Sequence, residues 1–243
     1  SPTYAKEIMT AEYGSGLEGV LAGRADGVKG ITNGIDVDAW NPESDSYLPA
    51  QYTAADLSGK QACKRALQRE LGLPNCDVPL LAVIGRLTFQ KGFDLLIDVI
   101  PELMSLDIQT VVLGTGDHHL EQQFLAAKAK YPDRIGLCLG FNEGMAHRIE
   151  AGADMLIMPS RYEPCGLSQL YSLRYGTVPI VRRTGGLADT VIPFRPSTIK
   201  SGRATGFHFI DASTDSLISA LVLSLHVYKE RQTWQSLICT GMK

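Results

Sequence analysis

The sequence predicts an α/β fold: a doubly wound parallel sheet covered by helices on both faces. Three observations carry that expectation. Short apolar runs alternate with amphipathic stretches from about Pro79 onward. The runs are continuous rather than alternating, which is how strands buried on both faces read. Glycine-rich polar loops follow several runs, where such a sheet places its ligand-binding loops.

Leu80–Gly85 is the first expected strand and Phe93–Leu103 the helix after it, with Pro101 disturbing its later part. Thr110–Gly114 is the second strand, followed by a helix over Leu120–Lys130 with apolar residues at helical spacing. Ile135–Gly140 and the helix Glu143–Ala151 come next, then a fourth strand at Asp154–Met158. The helix Leu167–Tyr175 closes on Gly176. Val178–Val181 and Gly206–Ile210 are the fifth and sixth strands, and Asp215–Tyr228 is a helix with Leu217, Leu221 and Leu225 on one side. The front differs. Gly30–Asp36 reads as a short strand entering the Asn33-Gly34 turn, and Trp40-Asn41-Pro42 opens a polar crossing to about Gly59. Residues 1–35 read as the end of a preceding domain that is mostly absent, and 36–243 as the domain proper.

Bulk properties narrow the function. With 243 residues, the chain has room for one large domain, or one domain and a piece of another. A net charge of −3 offers no general attraction to nucleic acid or acidic lipid, so a bound anion needs local cations or amides. No apolar run reaches the roughly 18–20 residues that span a membrane, and SPTYAKEIMTAEYG lacks the pattern of a signal peptide. The five cysteines are widely spaced without a C-x-x-C pair, which argues against a disulfide scaffold or a zinc site and for a reducing cytoplasm. The five histidines form no cluster with cysteines or carboxylates, so no metal site is expected. The chain opens without Met and reads as a module of something longer.

The chemistry lies in the loops. Gly85-Arg86-Leu87-Thr88-Phe89-Gln90-Lys91-Gly92 sits between a strand and a helix and can direct Arg86 and Lys91 at one diphosphate. Such cations stabilise a departing nucleoside diphosphate; on the loop alone, a solvated basic turn is an equal reading. Pro159–Gln169 opens a helix at Gly166, Leu167 and Ser168, whose free N–H groups suit a phosphate. Glu163 just ahead can reach a sugar hydroxyl or a developing positive charge, or can serve only the helix dipole. Cys165 reads as a small packed residue rather than a reactive thiol. Gly185 and Gly186, in Arg182–Asp189, would let backbone approach a ligand. Val112–Asp117 lacks the last glycine of a dinucleotide fingerprint and reads as a structural turn. Phe141, after the third strand, can stack on a base or fill a core.

In this order, SPTYAKEI, ITNGIDVDAWNP, GRLTFQKGFDLL, VVLGTGD, PSRYEPCGLSQLY, RRTGGLADTV and ATGFHF resemble the bacterial glycogen synthases and plant starch synthases over nearly the whole chain. The resemblance implies the C-terminal Rossmann-like domain of a two-domain GT-B glycosyltransferase. It implies a retaining hexosyltransferase with ADP-glucose as donor and an α-1,4-glucan as acceptor, and no cofactor. It gives Arg86 and Lys91 to the diphosphate, Glu163 to the glucose and the reaction centre, and Phe141 to adenine. Cys165, Gly166, Leu167, Ser168, Gly185 and Gly186 then line the donor site. The expected location is the bacterial cytoplasm, or the plastid in a plant. Two departures stand out. The second Glu that many related transferases carry eight positions after the first is Tyr171 here. The family's glycine-rich loop with its lysine, its cleft histidine and its terminal helix would lie outside this chain. The rival readings are a nucleotide-binding module inactive alone, an epimerase, which would need no glucan, and a transferase using another nucleotide sugar.

Overall fold

Six parallel strands run in the order β3-β2-β1-β4-β5-β6. They are β1 Leu80–Ile84, β2 Gln109–Gly114, β3 Ile135–Leu139, β4 Met155–Met158, β5 Val178–Arg182 and β6 Phe207–Phe209. The computed structural model describes residues 1–243, the side chain of Ala25 apart. The order reverses between β1 and β4, which pair through Leu81 with Met155 and Ala82 with Leu156. A parallel sheet opens a crevice at such a reversal, beyond the carboxyl ends of the strands.

The continuous apolar runs have a direct cause. Successive strand residues point to opposite faces, and both faces are covered. Leu81, Val83, Met155, Ile157 and Ile180 enter one buried cluster with α4 (Phe93–Leu103), α10 (Thr214–Tyr228) and α11 (Arg231–Gly241). Leu80, Ala82, Leu156, Met158 and Val181 enter the other, with α6 (Glu143–Gly152) and Leu67 of α3 (Ser58–Glu70). The remaining helices are α1 Pro2–Glu7, α2 Glu18–Ala22, α5 His118–Lys130, α7 Ser168–Arg174, α8 Gly185–Thr190 and α9 Pro196–Lys200. Each of the six strands expected from Leu80 onward is present, with ends moved by a residue or two.

One expectation needs correction. Gly30–Asp36 is not a strand; the segment is irregular, and Ile31 is 82% exposed, so no sheet edge draws it in. Between the polar crossing and β1 lies a further helix, α3. Its inward face sets buried Lys60, Lys64 and Gln68 among Cys63 and Leu67, so the apolar periodicity is broken up by polar residues. Lys64 forms a buried ion pair with Asp154 at 2.6 Å, and that carboxylate also accepts from the Leu80 N–H at 2.8 Å. The crossing segment is pinned separately. Trp40 is stacked between the rings of His147 and Tyr171, with centroids 3.8 and 3.7 Å away. Asp45 binds His147 Nδ1 at 2.7 Å and accepts from the Tyr175 hydroxyl at 2.6 Å.

Lys60 is buried and donates to the carbonyls of Ala151 and Tyr175, each at 3.0 Å, and to Thr177 Oγ1 at 2.8 Å. Burial pushes its ammonium down to about 8, against a partial lift from Asp154, Cys63 and Glu150. Between pH 8 and 10.5 the unfolded chain therefore holds a proton that the folded chain has released, and stability rises with pH. Wild type should gain stability over Lys60→Met across that window, by on the order of 3 kcal/mol, in urea unfolding at each pH.

Candidate functional site

The loops after β1 and β4 meet at the reversal. Gly92 holds φ 71°, and a Cβ there would fall well inside contact distance of the Pro159 carbonyl oxygen. Only glycine satisfies both demands. The Arg161 N–H donates to the Gln90 carbonyl at 2.8 Å, and Gln90 Nε2 to the Tyr162 carbonyl at 3.3 Å. The Arg161 guanidinium grips both Asp94 oxygens at 2.7 Å, lies 3.5 Å over the centre of the Phe89 ring and donates to the Phe89 carbonyl at 2.6 Å. Arg182 ties in the far side, donating to the carbonyls of Arg161 and Ile210. The arginines of these motifs thus split in role. Arg161 and Arg182 hold loops together, whereas Arg86 is exposed and its guanidinium has no protein partner among the described residues.

This scaffold brings Lys91 onto Glu163. Their ammonium and carboxylate form an ion pair, with the Glu163 side chain 6% exposed and that of Lys91 21%. Ser160 Oγ, also buried, donates to the same carboxylate oxygen at 3.2 Å. Sequence reading passed over Ser160, which nothing but its place beside Glu163 marks out. A carboxylate so held has a fixed direction, and the ammonium beside it is presented at the crevice.

Next to Glu163, the backbone N–H groups of Gly166, Leu167 and Ser168 have no acceptor among the described residues. Gly166 has φ 72°, and a Cβ there would strike the Gln169 amide. That amide, fully buried, donates to the Cys165 carbonyl at 2.9 Å, to Gly166 O at 3.1 Å and to Thr190 Oγ1 at 3.1 Å. The turn is therefore rigid while its N–H groups stay open, as an anion site at a helix start requires. The Cys165 sulfur accepts from the Asn33 N–H at 3.3 Å.

Gly185 and Gly186 have a different role from the ligand approach expected of them. A Cβ on Gly185 would collide with the Glu163 carbonyl, and one on Gly186 with the Cys165 carbonyl. Their N–H groups are taken, that of Gly185 by the Glu7 carboxylate at 2.9 Å and that of Gly186 by the Glu163 carbonyl at 2.9 Å. They let two loops touch. The glycines of Val112–Asp117 do likewise, Gly114 and Gly116 abutting the carbonyls of Gly85 and Leu87.

Phe141 stands at the end of β3, 92% exposed. Strands lie about 4.8 Å apart, so β3 is roughly 10 Å from β1 across the sheet. Tyr171, eight positions after Glu163, stacks its ring on Trp40. No group of three or more potential metal ligands occurs among the described residues, and no helix is long and apolar enough to cross a membrane.

A family model described as "Glycosyl transferases group 1" matches residues 65–236. The glycogen synthase of Anaeromyxobacter sp. (strain Fw109-5) is 53% identical over 243 residues, which are 100% of this chain and 50% of that protein. The catalytic domain of starch synthase IV from Arabidopsis thaliana, solved with ADP and acarbose bound, superposes with a TM-score of 0.94 at 39% identity, over 100% of this chain and 50% of the other. A C-terminal domain of a glycosyl transferase group 1 family protein from Francisella tularensis shares the fold alone, with a TM-score of 0.60 at 16% identity over 86% of this chain and 95% of that one. The chain spans about half the length of the curated relatives it matches.

Gly92→Ala should separate the two loops that bring Lys91 to Glu163. The expected loss is on the order of 2 kcal/mol or more in urea unfolding, from the left-handed backbone and the collision together.

Proposed function

The chain belongs to the group 1 glycosyl transferases, and from that premise we propose that it is the nucleotide-sugar half of a glycogen or starch synthase. In this reading the parent enzyme is a hexosyltransferase that moves glucose from ADP-glucose to the non-reducing end of an α-1,4-glucan. Residues 36–243 are its donor domain, and residues 1–35 end the acceptor-side domain. The observation that carries the reading is the convergence at one reversal point of the Lys91–Glu163 pair, the unpaired Arg86 and the open N–H groups of Gly166 to Ser168. Family membership and the likeness to a starch synthase solved with ADP and acarbose support the choice of substrate class.

The nucleotide would lie across the strand ends, adenine on Phe141 and diphosphate between Arg86, Lys91 and the start of α7. That span of roughly 10 Å suits a nucleoside diphosphate. As the bond from the anomeric carbon to the diphosphate breaks, its electron pair leaves with ADP. Arg86 and Lys91 face the charge that grows there, so they stabilise the transition state more than the bound donor. No metal or other cofactor enters this account. Glu163, fixed by Lys91 and Ser160, faces the glucosyl unit as positive charge develops on it. The acceptor hydroxyl bonds to the anomeric carbon from the face that ADP leaves, which retains configuration, and its proton departs with the diphosphate. The isolated chain binds nucleotide without turnover, and the parent enzyme works in the cytoplasm.

Calorimetric titration of this chain with ADP, ADP-glucose and UDP-glucose tests the donor assignment. The adenine ligands should bind and UDP-glucose should not, with binding lost in Arg86→Ala; equal affinity for the uridine ligand would reject ADP-glucose as donor. In the parent enzyme, Arg86→Ala or Lys91→Ala should each cut kcat/KM by on the order of 10²–10³. Rates near wild type in either variant would remove the two cations from the mechanism.

A further inference from the structure

Helices α1 and α8 lie side by side and antiparallel, and each brings a carboxylate to the start of the other. Asp189, near the end of α8, accepts from the Thr3 N–H at 3.1 Å, from Thr3 Oγ1 at 2.5 Å and from Ser1 Oγ. Ser1 Oγ in turn accepts from the Tyr4 N–H at 3.0 Å. Glu7, the last residue of α1, takes the Gly185 N–H with both oxygens, at 2.9 and 3.1 Å, and the Thr184 hydroxyl at 3.2 and 3.3 Å. A helix start offers unpaired N–H groups and the positive end of a dipole. Each carboxylate satisfies both, through charge-assisted bonds stronger than neutral ones. Thr184, the residue in the capping position of α8, makes no side-chain cap of its own, so Glu7 supplies it.

This reciprocal clasp reaches the site through the glycine pair. No space separates Gly185 from the Glu163 carbonyl, or Gly186 from that of Cys165. The Gly186 N–H is bonded to the Glu163 carbonyl. Glu7 therefore fixes Gly185, and the glycines fix the backbone that carries Glu163.

We infer that the α1–α8 clasp is part of the Glu163 site: Glu7 is a positioning residue that sets Glu163 through Gly185 and Gly186. The effect on turnover rests on the proposed synthase reaction; the positioning itself does not.

Two readouts separate these. Amide exchange in the 243-residue chain reports positioning directly. In Glu7→Ala, exchange at Gly185 and Gly186 should quicken at least about tenfold while the β1 amides stay protected. Glu7→Gln keeps an acceptor oxygen and should keep most of the protection. In the parent enzyme, Glu7→Ala should lower kcat by on the order of 10- to 100-fold, as small misplacements of a reacting group do. The KM for ADP-glucose should stay within about twofold, because the diphosphate ligands are untouched. Unchanged exchange at Gly186 overturns the inference whatever the activity. Faster exchange with an unchanged kcat overturns it too, reducing Glu7 to a structural cap. A wild-type parent that transfers no glucose rejects the synthase reading, and exchange still decides the positioning. If Glu7→Ala does not fold, Glu7→Gln and Asp189→Asn carry the same test, with smaller changes expected in both readouts.

Discussion

Asp154 is buried, yet its carboxylate is met by Lys64 and by the Leu80 N–H, and this arrangement holds the starts of β1 and β4 together. Removing either partner would leave a buried charge uncompensated. At the other end of the same two strands, Gly92 presses against the Pro159 carbonyl. The reversal point is thus fastened at both ends, and the strand order follows outward from it. The Lys91–Glu163 contact is made between the two loops that leave these adjacent strands in the same direction.

The site is assembled by backbone contacts more than by side chains reaching for one another. The loops after β1, β4 and β5 touch at carbonyl oxygens, and the touching is possible because glycine stands at 92, 185 and 186. Arg161 and Arg182 then bind the carbonyls of Phe89, Arg161 and Ile210, spanning the loops after β1, β4 and β6. Loops held this way lose little further freedom when a ligand arrives, which is the advantage of a preorganised site. The groups left unsatisfied are those a diphosphate could use: a guanidinium at Arg86 and the N–H groups at Gly166 to Ser168.

The central strands β1, β2, β4 and β5 were legible because they are buried on both faces and so read as apolar runs. Helix α3 was not, because its buried face interleaves Lys60, Lys64 and Gln68 with Cys63 and Leu67, and the burial of the polar three is permitted by partners distant in sequence, such as Asp154, Thr177 and Gln109. Gly30–Asp36 misled in the opposite way, since a short run into the Asn33-Gly34 turn reads as a strand while no neighbouring strand offers a ladder. In the site, charge and glycine in sequence order marked Arg86, Lys91, Glu163 and the start of α7. What residues 85–92 alone left undecided was whether the loop is only a solvated turn; its packing against the loop after β4 is a contact between segments some 70 residues apart. The glycine pair at 185 and 186 was visible as a place of close approach, but what approaches is protein backbone. Glu7 carried no local signal at all, because its partner lies 178 residues away.

The antiparallel α1–α8 pair also has a mechanical side. Tension along the axis of α1 would shear both carboxylate caps at once, so they share the load. A pull at right angles would peel them singly, beginning at whichever end is lifted. The seam between the opening residues and α8 is therefore stiff to sliding and compliant to lifting, and a tilt about an axis perpendicular to α1 would cost it least.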